Sequence, residues 1–368
     1  MRITDLNRVT MKVTGATLML VLGIAGSGGI AAASAAASAD THAGTHKATS
    51  REISASTTKK KAVRTLRVAL VAPSSTKDLA FTESMYSALE DLKKTEHLKI
   101  SVSDTEYVVS TAAQVIRQYA SKGYNLVICH GSQYGSIVEQ VAPKFPKVSF
   151  AWGTAAATFG LHNVFGYEAA SNQGGYVQGY IAEMMSKSKV LGPIGPIATG
   201  DAKLYIDGFV AGAKAAAAAA KSKVTVRPVY TGSFSTDSLM ATAARTFVSD
   251  GADVLTGSSQ SVVGAIGVAR SDGLPWFSTQ WTQASIAPKN VVASQIYNWK
   301  PVLIQIFTDI RARKLGGVTY TINLGNDGEK IALNPRYDLR KFPLTHAIRA
   351  KAQKLIKAIT DGTISPPQ

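Results

Sequence analysis

The sequence predicts an α/β protein of two doubly wound parallel-sheet lobes joined by a hinge, and three observations lead there. A chain of 368 residues with 45% apolar composition has the length of two ordinary domains and material for two cores. Short β-rich runs alternate with helical patterns along the body, as parallel strands joined by crossover helices require. The body also repeats itself. Ala113–Gly123 reads AQVIRQYASKG ahead of Leu126-Val127-Ile128 and the turn His130-Gly131-Ser132-Gln133. Ala241–Gly251 reads ATAARTFVSDG ahead of Val254-Leu255 and the turn Gly257-Ser258-Ser259-Gln260. Arg117 and Arg245, Tyr119 and Phe247, Ser121 and Ser249, Gly123 and Gly251 keep step. Open α/β sheets take ligands at the carboxyl ends of their strands, so two such edges facing across a cleft make a small-molecule clamp.

The first element is not part of that body. Residues 1–39 read as a secretory signal peptide: Arg2, Arg8 and Lys12 precede an uncharged stretch, Val13 to Ile30, and a small-residue run ends Ala37-Ser38-Ala39, where cleavage is expected. A retained membrane anchor is the competing reading, but Gly23, Gly26, Gly28 and Gly29 and the A-x-A ending favour removal. Residues 40–64, with Lys59-Lys60-Lys61, read as a disordered basic tether. The protein is therefore expected outside the cytoplasm, periplasmic or at the cell surface, touching a membrane only peripherally. The formal charge of +16 comes from scattered bases without any nucleic-acid-binding signature, so nucleic acid is not an expected partner. The single Cys129 lies in an apolar strand and reads as a small buried hydrophobe.

The body begins with a strand from Leu66 to Ala72, stopped by Pro73, and a helix from about Phe81 to Lys94 with Met85, Ala88, Leu89 and Leu92 at helical spacing. A helix from Thr111 to Lys122 leads to a strand from Asn125 to Cys129. A helix from Gly135 to Ala142 and a strand from Lys147 to Trp152 follow, then a short strand from Asn163 to Tyr167. The glycine pair Gly174-Gly175 is expected to lead into a helix from Tyr176 to Met185. The second copy starts with a strand from Val190 to Ile197 and a helix starting near Phe209. It continues through Gln260 to a helix from Val262 to Ser271 and a strand from Pro275 to Thr279. The strand from Val291 to Tyr297 is expected to cross back to the first lobe. A helix from Pro301 to Lys314, a hairpin-like stretch from Thr319 to Leu333 and a helix from Thr345 to Asp361 complete the chain. The first lobe is thus expected over 65–166, completed by about 290–325, and the second over 167–289, completed by about 326–368.

Chemistry has little to work with. The histidines show no metal-ligand spacing, and Cys129 and His130, being consecutive in a strand, point to opposite faces and cannot pair as nucleophile and base. There is no nucleophile elbow and no phosphate loop, so no catalytic residue, metal or cofactor is expected and the chain is not read as an enzyme. Binding has more. The strand-end loops carry Lys77, Asp78, Phe81 and Thr82; Gln133 and Tyr134; Trp152; Phe234; Gln260; Gln280 and Trp281; and Asn298 beside Trp299. Aromatic faces beside neutral hydrogen-bonding groups suit a flat polar ligand, which the rings stack on while amides and hydroxyls pair its edges.

At these residues the chain resembles the basic membrane protein family of ABC-transporter solute-binding proteins, which includes bacterial purine nucleoside receptors. The likeness rests on KDLAFT (Lys77 to Thr82), GYNLVICHG (Gly123 to Gly131), FPKVSFA (Phe145 to Ala151), YIDGFVAG (Tyr205 to Gly212), YTGSF (Tyr230 to Phe234) and GADVL (Gly251 to Leu255), in that order. It implies a two-lobed type I periplasmic-binding fold that closes on a nucleoside-like solute and hands it to an ABC permease. It also implies that Asp78 accepts hydrogen bonds from a base and that Phe81 and Phe234 stack on it. A sensor with the same clamp, signalling to a membrane partner, is the alternative. Where the family commonly holds ribose with a G-x-D-x-D strand end, this chain reads Ser278-Thr279-Gln280-Trp281-Thr282. The ligand class therefore stays open between a nucleoside-like compound and another small flat polar molecule.

Overall fold

The computed structural model describes residues 64–368. The expected signal peptide and all but the last residue of the expected tether lie outside the described residues. No helix among the described residues is long and apolar enough to cross a membrane.

The first half of the body builds β1 (Leu66–Val71), α1 (Phe81–Leu92), β2 (Leu98–Ser103), α2 (Val109–Ser121), β3 (Leu126–His130), α3 (Gly135–Val141), β4 (Ser149–Gly153) and β5 (Val164–Ala169). The second half builds α4 (Ser171–Met185), β6 (Val190–Gly195), α5 (Gly200–Ala219), β7 (Thr225–Val226), β8 (Val229–Tyr230), α6 (Asp237–Ser249), β9 (Val254–Gly257), α7 (Val262–Ser271), β10 (Trp276–Ser278) and β11 (Val291–Tyr297). The chain then adds α8 (Lys300–Arg311), β12 (Val318–Ile322), β13 (Glu329–Leu333) and α9 (His346–Thr360).

Two sheets result. The first runs β12-β5-β4-β3-β1-β2, all parallel. The second runs β13-β11-β10-β9-β6-β7, with β8 also on β6. Position for position these are the same order, so the sequence repeat is a repeat of topology. They differ at one edge, where β13 pairs antiparallel with β11.

Strand pattern explains the layering. In β1, Leu66, Val68 and Leu70 pack with Met85 and Leu89 of α1 and with Leu303, Ile306 and Phe307 of α8. Ala69 and Val71 point the other way, onto Ile116 of α2 and Ile137 and Val138 of α3. Both faces are covered, which is why the strand reads as nearly continuous apolar sequence. Cys129 is fully buried in that second layer.

Several expectations are corrected. The strand from Val291 to Tyr297 does not cross to the first sheet; it pairs with β10 and β13 in the second. The chain returns after it, at Asn298-Trp299, and α8 packs on the first core. β12 and β13 are not a hairpin, because β12 lies on β5 and β13 on β11. The six residues between them, Asn323 to Gly328, are a passage between sheets, folded by the Asn326 side chain, which accepts from the Asn323 amide at 2.9 Å and the Gly328 amide at 3.1 Å. β5 runs to Ala169, past the expected lobe limit at 166, and α5 starts at Gly200 instead of near Phe209.

Gly174 and Gly175 lie inside α4 instead of ahead of it. They belong to a close helix crossing. A Cβ on Gly179 of α4 would run into the Phe209 carbonyl of α5, and one on Gly212 of α5 would run into the Tyr176 carbonyl of α4. The two backbones touch, as glycine alone permits. Gly179→Ala gains about 1 kcal/mol of helix propensity but overpacks a backbone contact at a cost of about 3 kcal/mol. The expected result is a net loss of about 2 kcal/mol in urea unfolding, and a gain in stability would mean that the two helices have slack.

Candidate functional site

The two sheets meet at the carboxyl ends of their strands, and a cavity of about 40 Å³ lies between them. From the first sheet it is walled by Pro73 after β1, Phe81 at the start of α1, Gly131 to Gln133 after β3 and Thr154 after β4. From the second it is walled by Asp201 after β6, Phe234 after β8, Ser258 to Gln260 after β9, Thr279 and Gln280 after β10, and Tyr297 closing β11. A water molecule occupies about 30 Å³ and ligand pockets run to about 300 Å³ or more. The cavity between the lobes has room for little more than one water in this structure.

Phe81 is held by a buried histidine. His130, the last residue of β3, stacks on its ring at 3.8 Å between centroids and 5° between planes. The imidazole hydrogen-bonds Tyr167 Oη at 2.7 Å through Nδ1 and the Phe81 carbonyl at 3.1 Å through Nε2. Trp299 stands edge-on to both rings and donates its Nε1 hydrogen to Ser84 Oγ at 2.9 Å. It is fully buried, so the expectation of a strand-end ligand contact at Trp299 gives way to a core role.

The second wall is polar. Asp201 Oδ1 accepts from Thr154 Oγ1 at 2.9 Å, across the two lobes, and Oδ2 accepts from Tyr297 Oη at 3.1 Å. Burial raises its carboxyl above the usual range, and the Thr154 and Tyr297 hydroxyls and the amides of residues 201 and 202 pull it back. Gln280 is 6% exposed, yet its Nε2 has no hydrogen-bond partner, and neither has the buried Oε1 of Gln260. A buried polar group left unmade costs about 1–3 kcal/mol, so these two amides offer a donor and an acceptor to whatever the cavity takes. Among the described residues Asp201 is the one charged lining group.

The residues expected from sequence divide in three. Phe81, Gln133, Phe234, Gln260 and Gln280 line the cavity. Gln280 also lines an outer groove of about 610 Å³, together with Trp281 and Asn298. Lys77, Asp78, Thr82, Tyr134 and Trp152 line neither, and four of them have other work. Asp78 accepts from the amides of Ala80, Thr82 and Glu83 and from Ser74 Oγ, closing the N-terminus of α1. Thr82 is buried against Ser74 Oγ. Tyr134 is buried and donates to the Glu106 carbonyl at 2.7 Å. Trp152 donates to the Gly131 carbonyl at 3.1 Å and stacks on Phe159. Lys77 is exposed.

Asp201, Thr154, Ser132 and Tyr297 are among the lining residues that the sequence reading did not select. A signal existed for Asp201: an acidic residue follows a strand end within a few positions, where a helix N-terminus is the expected next feature.

Comparison with known proteins fits this geometry. Residues 65–361 match the Bmp family, described as ABC transporter substrate-binding protein PnrA-like, and the chain belongs to that family. It is a family of solute-binding proteins, not of enzymes. The chain is 27% identical over 229 residues to a purine-binding protein of Brucella abortus (strain 2308), covering 62% of this chain and 63% of that protein. It is 28% identical over 209 residues to an ABC transporter nucleoside-binding protein of Lactococcus lactis subsp. cremoris (strain MG1363), covering 56% of this chain and 58% of that one. In both cases the match spans less than two thirds of the relative's length. In fold it is similar to an ABC transporter solute-binding protein from Conexibacter woesei DSM 14684, with a TM-score of 0.66 and 24% identity over 82% of this chain and 98% of that chain.

Burial pushes the His130 imidazole down to about 3, against about 6.5 when unfolded. The unfolded chain therefore binds the extra proton, and the stability is complete above pH 6.5 and lost as the pH falls from there toward 3. Between pH 7 and pH 5 the loss is about 2 kcal/mol. His130→Phe is expected to shrink by that amount the difference between urea-unfolding free energies at the two pH values; an unchanged difference would assign the acid sensitivity elsewhere.

Proposed function

We propose that this chain is the exported ligand-capturing subunit of an ABC importer, which closes its two lobes on a small, flat nucleoside-like compound without phosphate and presents it to a membrane permease. The observation that carries this reading is the composition of the cavity: Phe81 from one lobe and Phe234 from the other, with the unpartnered amides of Gln260 and Gln280 beside them. Two rings supply π faces for a heteroaromatic plane, and the amides pair with its edges. The names of the Brucella and Lactococcus relatives point to the same ligand class. The lone lining charge, Asp201, and the lack of a lining cation among the described residues favour a solute without phosphate over a nucleotide.

Closure follows from the wall arrangement. Both edges of a bound solute touch different lobes, so the ligand binds the closed state better than the open one and shifts the population toward it. The expected location outside the cytoplasm and the permease partner belong to this proposal.

A thermal-shift screen of the purified protein against nucleosides, free bases, nucleotides, sugars and amino acids tests it, because a ligand that binds only the folded state raises Tm. A neutral nucleoside or base is expected to give the largest shift and the matching nucleotide little. Phe81→Ala and Phe234→Ala are each expected to weaken binding by about 1–3 kcal/mol. A shift with sugars or amino acids alone, or full affinity in both variants, would overturn the reading.

A further inference from the structure

The outer groove opens directly from the cavity, with Ala80, Gln280 and Tyr297 lining both. Its walls come from three places. Glu83, Ser87 and Asp91 form one face of α1, in the first lobe. Trp281 and Thr282 belong to the turn after β10, in the second. Asn298 and Asp327 sit on the passages between the sheets.

Three features of this groove leave surface or bonding capacity open, although Thr282 and the Leu79 backbone also reach the Glu83 carboxyl. Trp281 leaves 44% of its surface exposed. Glu83 Oε2 is shielded from solvent with no hydrogen-bond partner, and among the described residues no cation lies within ion-pair distance of it. Of the two lysines that line the same groove, Lys300 is engaged by Asp91 at 3.1 Å, and Lys330, exposed on β13, lies within ion-pair distance of no carboxylate among the described residues. Gln280, buried to 6% exposure at the junction of cavity and groove, has an unpartnered Nε2.

We propose that the ligand has two parts: a flat head in the cavity and an amine-bearing arm that passes Gln280 and lies along Trp281 with its ammonium on the Glu83 carboxylate. This rests on the ligand-capturing reading above and adds the chemical class of the ligand. The buried Gln280 donor takes an acceptor at the branch point of head and arm. The shielded oxygen of Glu83 needs a donor, and a cationic donor restores what its environment removes, because burial, and after it the Asp78 charge, raises the Glu83 carboxyl. An indole face next to a carboxylate is a favourable seat for an ammonium group. An arm lying there touches both lobes and the passages between them, so it adds to closure as well as to affinity.

Isothermal titration of the full-length protein with adenosine, 5′-amino-5′-deoxyadenosine and N6-(2-aminoethyl)adenosine tests the idea. At least one amino-armed compound is expected to bind about tenfold more tightly than adenosine, as a partly desolvated charged hydrogen bond with a cation–π contact allows. Glu83→Gln and Trp281→Ala are each expected to bring the ratio of the two affinities back toward one. The ratio is read within each variant, so a general loss of stability does not imitate the effect. Binding of adenosine with no gain from either arm overturns the two-part ligand alone, as does a gain that persists in both variants. If neither adenosine nor either armed compound binds, the head reading fails and the arm falls with it.

Discussion

The cleft depends on the way the chain changes sheet. Among the described residues it does so at Ala170, at Asn298-Trp299 and between Asn323 and Gly328, and the ends of the third passage are hydrogen-bonded to the first, to the second and to each other. The Ala170 amide donates to the Ile322 carbonyl at 2.8 Å, the Asn298 amide to the Gly328 carbonyl at 2.8 Å, and the Glu329 amide to the Asn323 carbonyl at 2.9 Å. Tyr297 stands where they converge: its hydroxyl meets Ser171 Oγ at 2.6 Å, Gln295 Nε2 at 3.0 Å and Asp201 at 3.1 Å. The same side chain therefore closes the cavity wall and joins the passages. The closure proposed above turns on these passages.

The sequence repeat made the fold legible because parallel strands buried on both faces leave apolar runs that composition alone detects. What escaped was thinner. β2 has a burial pattern with one buried residue and five partly covered or exposed, and its only mark in Leu98-Lys99-Ile100-Ser101-Val102-Ser103 is a period of two on an edge strand. Glycines suggested the end of a loop at Gly174-Gly175, because nothing local distinguishes a glycine that breaks a helix from one that lets a second helix come close. β12 and β13 looked like a hairpin for a similar reason: whether two neighbouring strands pair with each other or with separate sheets is decided by tertiary partners.

In the site, the turns that follow strands supplied Phe81, Gln133, Phe234, Gln260 and Gln280 from sequence, since strand ends and their loops are predictable even when boundaries shift. Asp78 and Tyr134 came from the same reasoning and went elsewhere. A carboxylate three residues before a helix has free amides within reach, and four donors fill it before any ligand does. Asp201 was hidden by the repeat itself. Placing the start of α5 near Phe209, opposite Phe81 in the repeat, put it too late, whereas Phe209 is buried in the second core and the helix begins about two and a half turns earlier.

The interleaved passages also set a timetable for synthesis. A ribosome delivers the first sheet's edge strand, β12, only after nearly all of the second half has emerged, and the second sheet's edge strand, β13, comes later still. The first half cannot finish its sheet as an independent fragment on the way out, because it waits for a strand that the second half carries. A nascent chain of this topology stays incomplete until almost its last helix, and cutting the gene between β5 and α4 would leave the first piece without β12, which the second piece carries.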